Sequence, residues 1–146
     1  MRAPFQILAI PYKLIDKKLY YCVLHRSDCD QWQFVAGGGE NDEIPIQAAK
    51  REIFEECGIY TTEIIELKSM CYIPSDIFPK RYLYNWPTDM YVIPEYSFGF
   101  ECNDDIILSS EHIDFSWLTY NQAQRTLKWD SNKTALYELN CMLTNQ

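Results

Sequence analysis

One stretch, Gly37 to Ile59, constrains this chain more than any other: GGGENDEIPIQAAKREIFEECGI. Three consecutive glycines open it, and glycine permits both unusual backbone angles and a close approach of the main chain to another group. Pro45 fits the first turn of a helix, where a missing N–H is not needed. Gly58 fits the left-handed position that ends many helices. The stretch therefore predicts a glycine loop followed by a helix over residues 45–57.

Three glutamates of that helix share one face, because residues three and four apart are neighbours on a helix. They are Glu52, Glu55 and Glu56. Like charges at this spacing destabilise an isolated helix. A hard divalent cation such as Mg²⁺ would neutralise them, and it would also bind the phosphates of a substrate. A solvated acidic surface is the alternative, and it is the usual explanation for a run of charges. The spacing favours the metal site.

The whole stretch resembles the signature of the Nudix hydrolases. The residues that carry the resemblance are Gly37, Glu43, Arg51, Glu52, Glu55, Glu56 and Gly58, with Ile53 and Ile59 at the aliphatic positions. This resemblance implies a metal-dependent hydrolase in which water attacks a phosphorus of a diphosphate linkage. It also implies the fold of that family, an α/β/α sandwich with a mixed β-sheet.

The resemblance also implies roles for individual residues. Arg51 and Glu43 match residues that orient the glutamates, and Glu52 matches a glutamate that either binds metal or acts as the general base. A carboxylate beside an arginine stays ionised, as a metal ligand must. The implied cofactor is Mg²⁺, with Mn²⁺ as a possible substitute, since both prefer oxygen ligands. The implied metal ligands are Glu52, Glu55, Glu56 and the carbonyl group of Gly37.

Nudix enzymes often take a further acid from outside the signature. Glu111, in the segment SSEHIDFSWL, is the candidate because it precedes a predicted strand and follows a loop that would reach over the phosphates. A surface glutamate is the alternative. Asp104 and Asp105 are second choices, since such residues commonly form turns. His112 is expected to be structural, although imidazole can act as a base.

Segments beyond the signature resemble the branch of the family that contains dihydroneopterin triphosphate and dATP pyrophosphohydrolases. They are WQFVAGGGE, SSEH, Trp117-Leu118 and residues 129–133, where Asp130 separates Trp129 from Ser131. This resemblance implies a substrate with a purine-like ring and a triphosphate, cleaved to a monophosphate and pyrophosphate. The candidate substrate-binding residues are Arg26, Trp32, Gly38, Gly39, Trp129 and Lys133, with Arg81, Tyr84 and Trp86 as weaker ones.

Two other functions stay open at this point. The signature contacts only the diphosphate and the metal, so ADP-ribose, a sugar nucleotide or a dinucleoside polyphosphate is an alternative substrate. A non-catalytic ligand-sensing module is a further alternative, which the intact glutamates of the signature disfavour. The formal net charge of −8 argues against the basic surface that nucleic-acid binding requires, and hence against an mRNA-decapping role.

Length and composition predict one domain over residues 1–146. No signal peptide is recognisable, and no apolar run reaches the length of a membrane span. The six cysteines contain no CxxC pair, which indicates reduced thiols and a cytoplasmic location. A small molecule is the expected partner, with neither a nucleic acid nor a membrane. The sequence does not indicate an oligomeric state.

Apolar periodicity and turn residues predict the remaining elements. The segment 73–88 contains three prolines and is predicted to be a long loop. The predicted strands cover residues 5–13, 19–26, 32–35, 61–72, 90–102 with a break at Pro94-Glu95, and 112–118. The predicted helices after the signature cover residues 119–128 and 131–143.

Overall fold

The computed structural model describes residues 1–145. In this part of the chain, seven strands form one mixed sheet with helices on both faces. The strands are β1 (Arg2–Ile15), β2 (Lys18–Arg26), β3 (Trp32–Gln33), β4 (Val35–Glu40), β5 (Ile65–Pro74), β6 (Val92–Glu101) and β7 (His112–Leu118). The helices are α1 (Pro45–Cys57), α2 (Lys80–Leu83), α3 (Tyr120–Thr126) and α4 (Asp130–Thr144), with a 3₁₀ turn at Ser75–Ile77.

Strand β1 contributes to two hydrophobic cores, one on each face of the sheet. Ile7 and Ala9 pack against α1, whereas Leu8 and Ile10 pack against α3 and α4. Successive side chains of a strand point to opposite faces, so an unbroken apolar run serves both cores. Fully burying one such aliphatic side chain contributes roughly 1.5–3 kcal/mol. The predicted α/β/α sandwich is thereby confirmed.

One edge of β1 is shared between two strands. Its last residues, 12–15, pair antiparallel with β2, while residues 2–9 pair antiparallel with β4. The other edge of β1 runs parallel to β6. The sheet therefore divides beside β1, and the signature strand β4 lies at the point of division.

The signature helix begins and ends as its sequence predicts. Pro45 is its first residue and Cys57 its last. Gly58 follows in the left-handed conformation, with φ 72°, and its N–H donates to the carbonyl of Phe54 at 2.9 Å. Glycine adopts this conformation without the steric cost that a side chain adds.

The predicted glycine loop is wrong, because these residues lie within strand β4. Gly37 is paired with Ile7 and Gly38 with Gln6, and neither has a positive φ. What these positions require is the absence of a side chain. A Cβ there would overlap atoms of three side chains that pack on the strand: Glu52 at Gly37, Arg2 at Gly38 and Phe5 at Gly39.

Three other predictions differ from the structure. Strand β5 begins at Ile65 rather than Thr61. The predicted loop 73–88 contains the 3₁₀ turn and helix α2. The expected break at Pro94 is absent, and β6 is continuous. Pairing with β1 starts only at Glu95, so the proline, which has no N–H, precedes the part of β6 that is flanked on both sides.

None of the helices between residues 1 and 145 is both long and apolar enough to cross a membrane. The six cysteines all lie in this region and are free thiols.

Candidate active site

Arg51 of α1 binds a group of carboxylates that come from α1 and from the segment just before it. Its Nε and Nη2 atoms donate to the two carboxylate oxygens of Glu43, each at 2.9 Å. Its Nη1 atom donates to Glu52 at 2.9 Å and to Glu55 at 3.2 Å. Nη2 also donates to the carbonyl of Gly38 at 2.7 Å. One guanidinium thus joins the helix to strand β4, and it lowers the pKa of Glu43 below its ordinary value.

The three glutamates of the helical face differ in their surroundings. Glu52 and Glu56, one turn apart, are buried, whereas the side chain of Glu55 is half exposed. Burial raises the pKa of Glu52, although the hydrogen bond from Arg51 acts in the opposite direction. The predicted shared face exists, but only two of its carboxylates enter the interior.

Glu56 lies against a buried histidine at the start of β7. Its Oε1 atom is 3.7 Å from Nδ1 of His112. Within residues 1–145, neither oxygen of Glu56 and neither ring nitrogen of His112 has a hydrogen-bond partner. Burial, followed by the nearby charge of Glu52, raises the pKa of Glu56, and burial lowers the pKa of His112. Such unpaired buried groups cost roughly 1–3 kcal/mol each.

Glu111 completes a cluster with this pair. Glu56, Glu111 and His112 each place one potential ligand atom within 4.8 Å of the others. The structure thus brings together Glu111 and the signature residue Glu56, which are 55 residues apart in the sequence. Asp104 and Asp105 lie in the loop after β6 and do not belong to this cluster. His112, expected to be structural, lies beside Glu56 and Glu111.

The cluster fits a divalent cation. The unpaired oxygens of Glu56 are buried acceptors without a donor, and a cation would satisfy them. The surrounding carboxylates are the oxygen ligands that Mg²⁺ and Mn²⁺ prefer. Mg²⁺ usually takes only a few carboxylates from the protein and leaves positions for water and phosphate.

A cleft of about 490 Å³ opens on the opposite face of the sheet, beside the start of α4. Its polar lining comes from several elements: Gln6, Arg26, Gln33, Glu95 and Ser131, with Trp129 as an aromatic wall. Glu56, Glu111 and His112 are not among its lining residues, but the residue after Arg26 donates its N–H to the carbonyl of Glu111 at 2.9 Å. Its size is within the range of small-molecule sites.

Two predicted substrate-binding residues line this cleft. Trp129 precedes the first residue of α4 and is 48% exposed. Arg26 is bound by Asp28 through two hydrogen bonds of 2.7 and 2.6 Å, so its charge is already paired. The other predicted residues are elsewhere. Trp32 stacks on His25, with ring centroids 4.5 Å apart.

The remaining candidates do not line the cleft either. Lys133 lies further along α4, and its carbonyl accepts a hydrogen bond from Gln124 at 2.9 Å. The spaces over Gly38 and Gly39 are filled by side chains of β1, as described above. Trp86 is buried and donates to the carbonyl of Arg2 at 2.8 Å, while Arg81 and Tyr84 are exposed.

Sequence reasoning missed Gln6, Gln33 and Glu95, which line the cleft, and Arg2, which donates a hydrogen bond to Gln6. The guanidinium of Arg2 lies over the ring centroids of Phe78 and Tyr82 at 5.5 and 5.1 Å. Arg2 lies at the start of the chain, and no local pattern marks it as part of a site. Glu95 had a usable signal, a carboxylate within an otherwise apolar strand.

The model of the NUDIX domain matches residues 13–139. This chain belongs to the Nudix family. A protein from Listeria monocytogenes described as a NUDIX hydrolase is 44% identical, with a TM-score of 0.85 and coverage of 98% of this chain and 96% of that one. Dihydroneopterin triphosphate diphosphatase of Haemophilus influenzae is 32% identical over 114 residues, 76% of this chain and 72% of the relative.

A solved Escherichia coli dihydroneopterin triphosphate pyrophosphohydrolase is 26% identical, with a TM-score of 0.74 and coverage of 95% and 97% of the two chains. An RNA pyrophosphohydrolase of Nitratiruptor sp. is 38% identical over 82 residues, about half of each chain. The predicted family is thereby confirmed, and this Nudix protein is a hydrolase of phosphoric anhydride bonds.

Proposed function

We propose that this Nudix hydrolase cleaves a nucleotide-like triphosphate, either dihydroneopterin triphosphate or a nucleoside triphosphate, to a monophosphate and pyrophosphate. The observation that carries the proposal is the cleft, which offers an aromatic wall beside polar groups and is lined by Ala36, the residue before the signature, and by Arg26, whose neighbour Ser27 is hydrogen-bonded to Glu111. A flat ring would stack on Trp129, and its phosphates would extend toward Glu111. Relatives named for dihydroneopterin triphosphate support this substrate class.

The reaction would depend on a divalent cation, Mg²⁺ or Mn²⁺. When bound, the cation would neutralise phosphate charge and lower the pKa of the attacking water. The chain would hold it through the carboxylates of the cluster, and Arg51 would keep two of these in position. The residues that would hold the cation are Glu52, Glu55, Glu56, Glu111 and the carbonyl group of Gly37.

Glu52 is the candidate general base. Its pKa is raised by burial, and a carboxylate whose pKa lies nearer to neutrality accepts a proton more readily. Water would attack a phosphorus, its proton would pass to a carboxylate oxygen of Glu52, and the anhydride P–O bond would break with pyrophosphate leaving. Glu43 would act indirectly by holding Arg51.

The test is the release of pyrophosphate and phosphate by the purified protein with Mg²⁺. The panel contains dihydroneopterin triphosphate, the dNTPs, GTP, ATP, ADP-ribose, a dinucleoside polyphosphate and RNA with a 5′ triphosphate. We expect pyrophosphate release from one small triphosphate with kcat/KM above roughly 10⁴ M⁻¹s⁻¹. Turnover of ADP-ribose or a dinucleotide alone would overturn the substrate assignment, and ligand binding without turnover anywhere would favour the sensing module.

A Glu56→Gln variant tests the site, with Glu63→Gln as a matched control. Glu63 follows the signature helix and is exposed, so Glu63→Gln removes the same charge at a position away from the cluster. We expect only Glu56→Gln to abolish turnover, because the amide carries no charge to hold a cation.

A further inference from the structure

Glu95 is a buried carboxylate that lines the cleft. It is 9% exposed, and it also borders an adjoining hollow of about 220 Å³. Strand pairing places it beside Gln6 of β1, which is in turn paired with Gly38 of the signature strand. Glu95 therefore lies two strands away from the signature, at the ring end of the proposed substrate site.

Two neutral donors of the protein face this carboxylate, the thiol of Cys71 and the hydroxyl of Ser131. Its Oε1 atom accepts from the thiol of Cys71 at 3.5 Å, and a thiol is a weak donor. No Lys, Arg or His within residues 1–145 forms an ion pair with it. An ionised carboxylate accepts about four hydrogen bonds. Most of the capacity of Glu95 is therefore unused.

Glu138 shows how this protein satisfies a structural glutamate in the same region. It reaches from α4 to β5, where its two oxygens accept from the backbone N–H groups of Lys68 and Ser69 at 2.7 and 2.8 Å. Glu138 needs nothing further, whereas Glu95 faces a cleft that a ligand would enter. The contrast indicates that the partner of Glu95 comes from outside the chain.

We infer that Glu95 selects the substrate ring by accepting hydrogen bonds from two adjacent N–H donors. Guanine and pterins share a 2-amino-4-oxopyrimidine ring, and one edge of this ring carries two adjacent N–H donors. A carboxylate accepts such a pair with two parallel bonds. Adenine offers one donor and one acceptor at its edge, so a ring nitrogen would face a carboxylate oxygen. This inference rests on the proposed function and narrows its substrate class.

The discriminating measurement is kcat/KM for GTP and for ATP, with dihydroneopterin triphosphate as a third substrate. We expect the wild type to prefer GTP to ATP by at least roughly 100-fold, because a site built around hydrogen bonds rejects an analogue that leaves them unmade. ITP, which lacks the 2-amino group, is expected to fall roughly 10-fold below GTP.

A Glu95→Gln variant presents one acceptor and one donor, which matches adenine. We expect its GTP-to-ATP ratio to fall by at least roughly 100-fold, with activity on ATP rising in absolute terms. The matched control is Glu101→Gln, which makes the same change at the exposed end of the same strand. The control is expected to keep the wild-type ratio.

The outcomes separate the two claims. Equal hydrolysis of GTP and ATP by the wild type, or an unchanged ratio in Glu95→Gln, would overturn the role of Glu95 and leave the proposed function intact. If no triphosphate is hydrolysed, the proposed function fails, and calorimetric binding of GMP against AMP decides the role of Glu95 in the same way. If Glu95→Gln does not fold, Glu95→Asp keeps both acceptors and must keep the preference for GTP.

Discussion

Two groups of carboxylates in this protein differ in the donors that surround them. Glu43 accepts two hydrogen bonds from Arg51 and one from the backbone N–H of Glu40, at 2.8 Å. Glu56, 13 residues further along the signature, has none from residues 1–145. Their pKa values shift in opposite directions: Arg51 lowers that of Glu43, and burial raises that of Glu56.

The difference separates residues whose hydrogen bonds the fold supplies from residues that the fold leaves with few or no partners. Glu43 completes a network that is self-sufficient and fixes the position of Arg51. Glu56 has no hydrogen-bond partner within residues 1–145, and Glu95 meets only a thiol and a hydroxyl. Burying such groups without partners lowers the stability of the ligand-free protein. A bound cation or substrate would supply the missing partners and remove this cost.

The largest expected effect comes from Glu56→Gln. We expect kcat/KM to fall by at least about 10³-fold, about 4 kcal/mol, because a buried ligand charge is lost. The metal-free variant should be at least as stable as the wild type, because the buried charge without a donor is gone. Pyrophosphate release and urea unfolding in EDTA measure the two effects. If the metal-free variant is less stable than the metal-free wild type, Glu56 stabilises the fold as Glu43 does.

A smaller effect is expected from Arg51→Lys. Lysine keeps the charge but cannot reach Glu43 through two parallel bonds. We expect the free energy of unfolding to fall by about 2 kcal/mol, the usual worth of hydrogen bonds to charged groups. We expect kcat/KM to fall about 10²-fold, since Glu52 and Glu55 lose their common donor. Arg125→Lys, on the exposed surface of α3, is the control. Equal losses of stability and activity in Arg51→Lys and Arg125→Lys would show that Arg51 does not hold the carboxylates in position.

Gly37→Ala tests whether the signature glycine exists to leave room for Glu52. The backbone there is extended and accepts alanine, but the new Cβ would overlap the Glu52 carboxylate. We expect a loss of about 1–3 kcal/mol of stability, as for other overpacked sites, and about a 10-fold loss in kcat/KM. Gly39→Ala, which meets the ring of Phe5 instead, should destabilise the protein while affecting activity less.

The smallest expected effect is a pH dependence of stability at Glu95. Burial raises its pKa above the ordinary value of 4.5. Its contribution to stability is therefore fully present below about pH 4.5 and is lost as pH rises through the raised pKa. Urea unfolding between pH 4 and 8 should show Glu95→Gln gaining stability relative to the wild type as pH increases. Parallel curves for the two proteins would contradict the shift, and Glu101→Gln provides the reference.

Prediction from the sequence succeeded where the information is local. Pro45 and Gly58 mark the ends of α1 because their backbone preferences act within one turn. It failed where distant segments meet. The glycines of β4 were assigned to a loop because their partners, Arg2, Phe5 and Glu52, lie elsewhere in the sequence. The cleft was not predicted, for the same reason. Of the substrate-binding residues predicted from the sequence, only Arg26 and Trp129 line it.

The sequence by itself determined the family, the signature helix and the chemical type of the candidate metal ligands, because the spacing of glutamates on one helix is a property of neighbouring residues. Only the tertiary structure decided which carboxylates are buried, that His112 lies against Glu56, and that Glu95 faces the cleft. Burial and the supply of hydrogen-bond donors depend on strands that pair across the whole chain, and no local pattern encodes them.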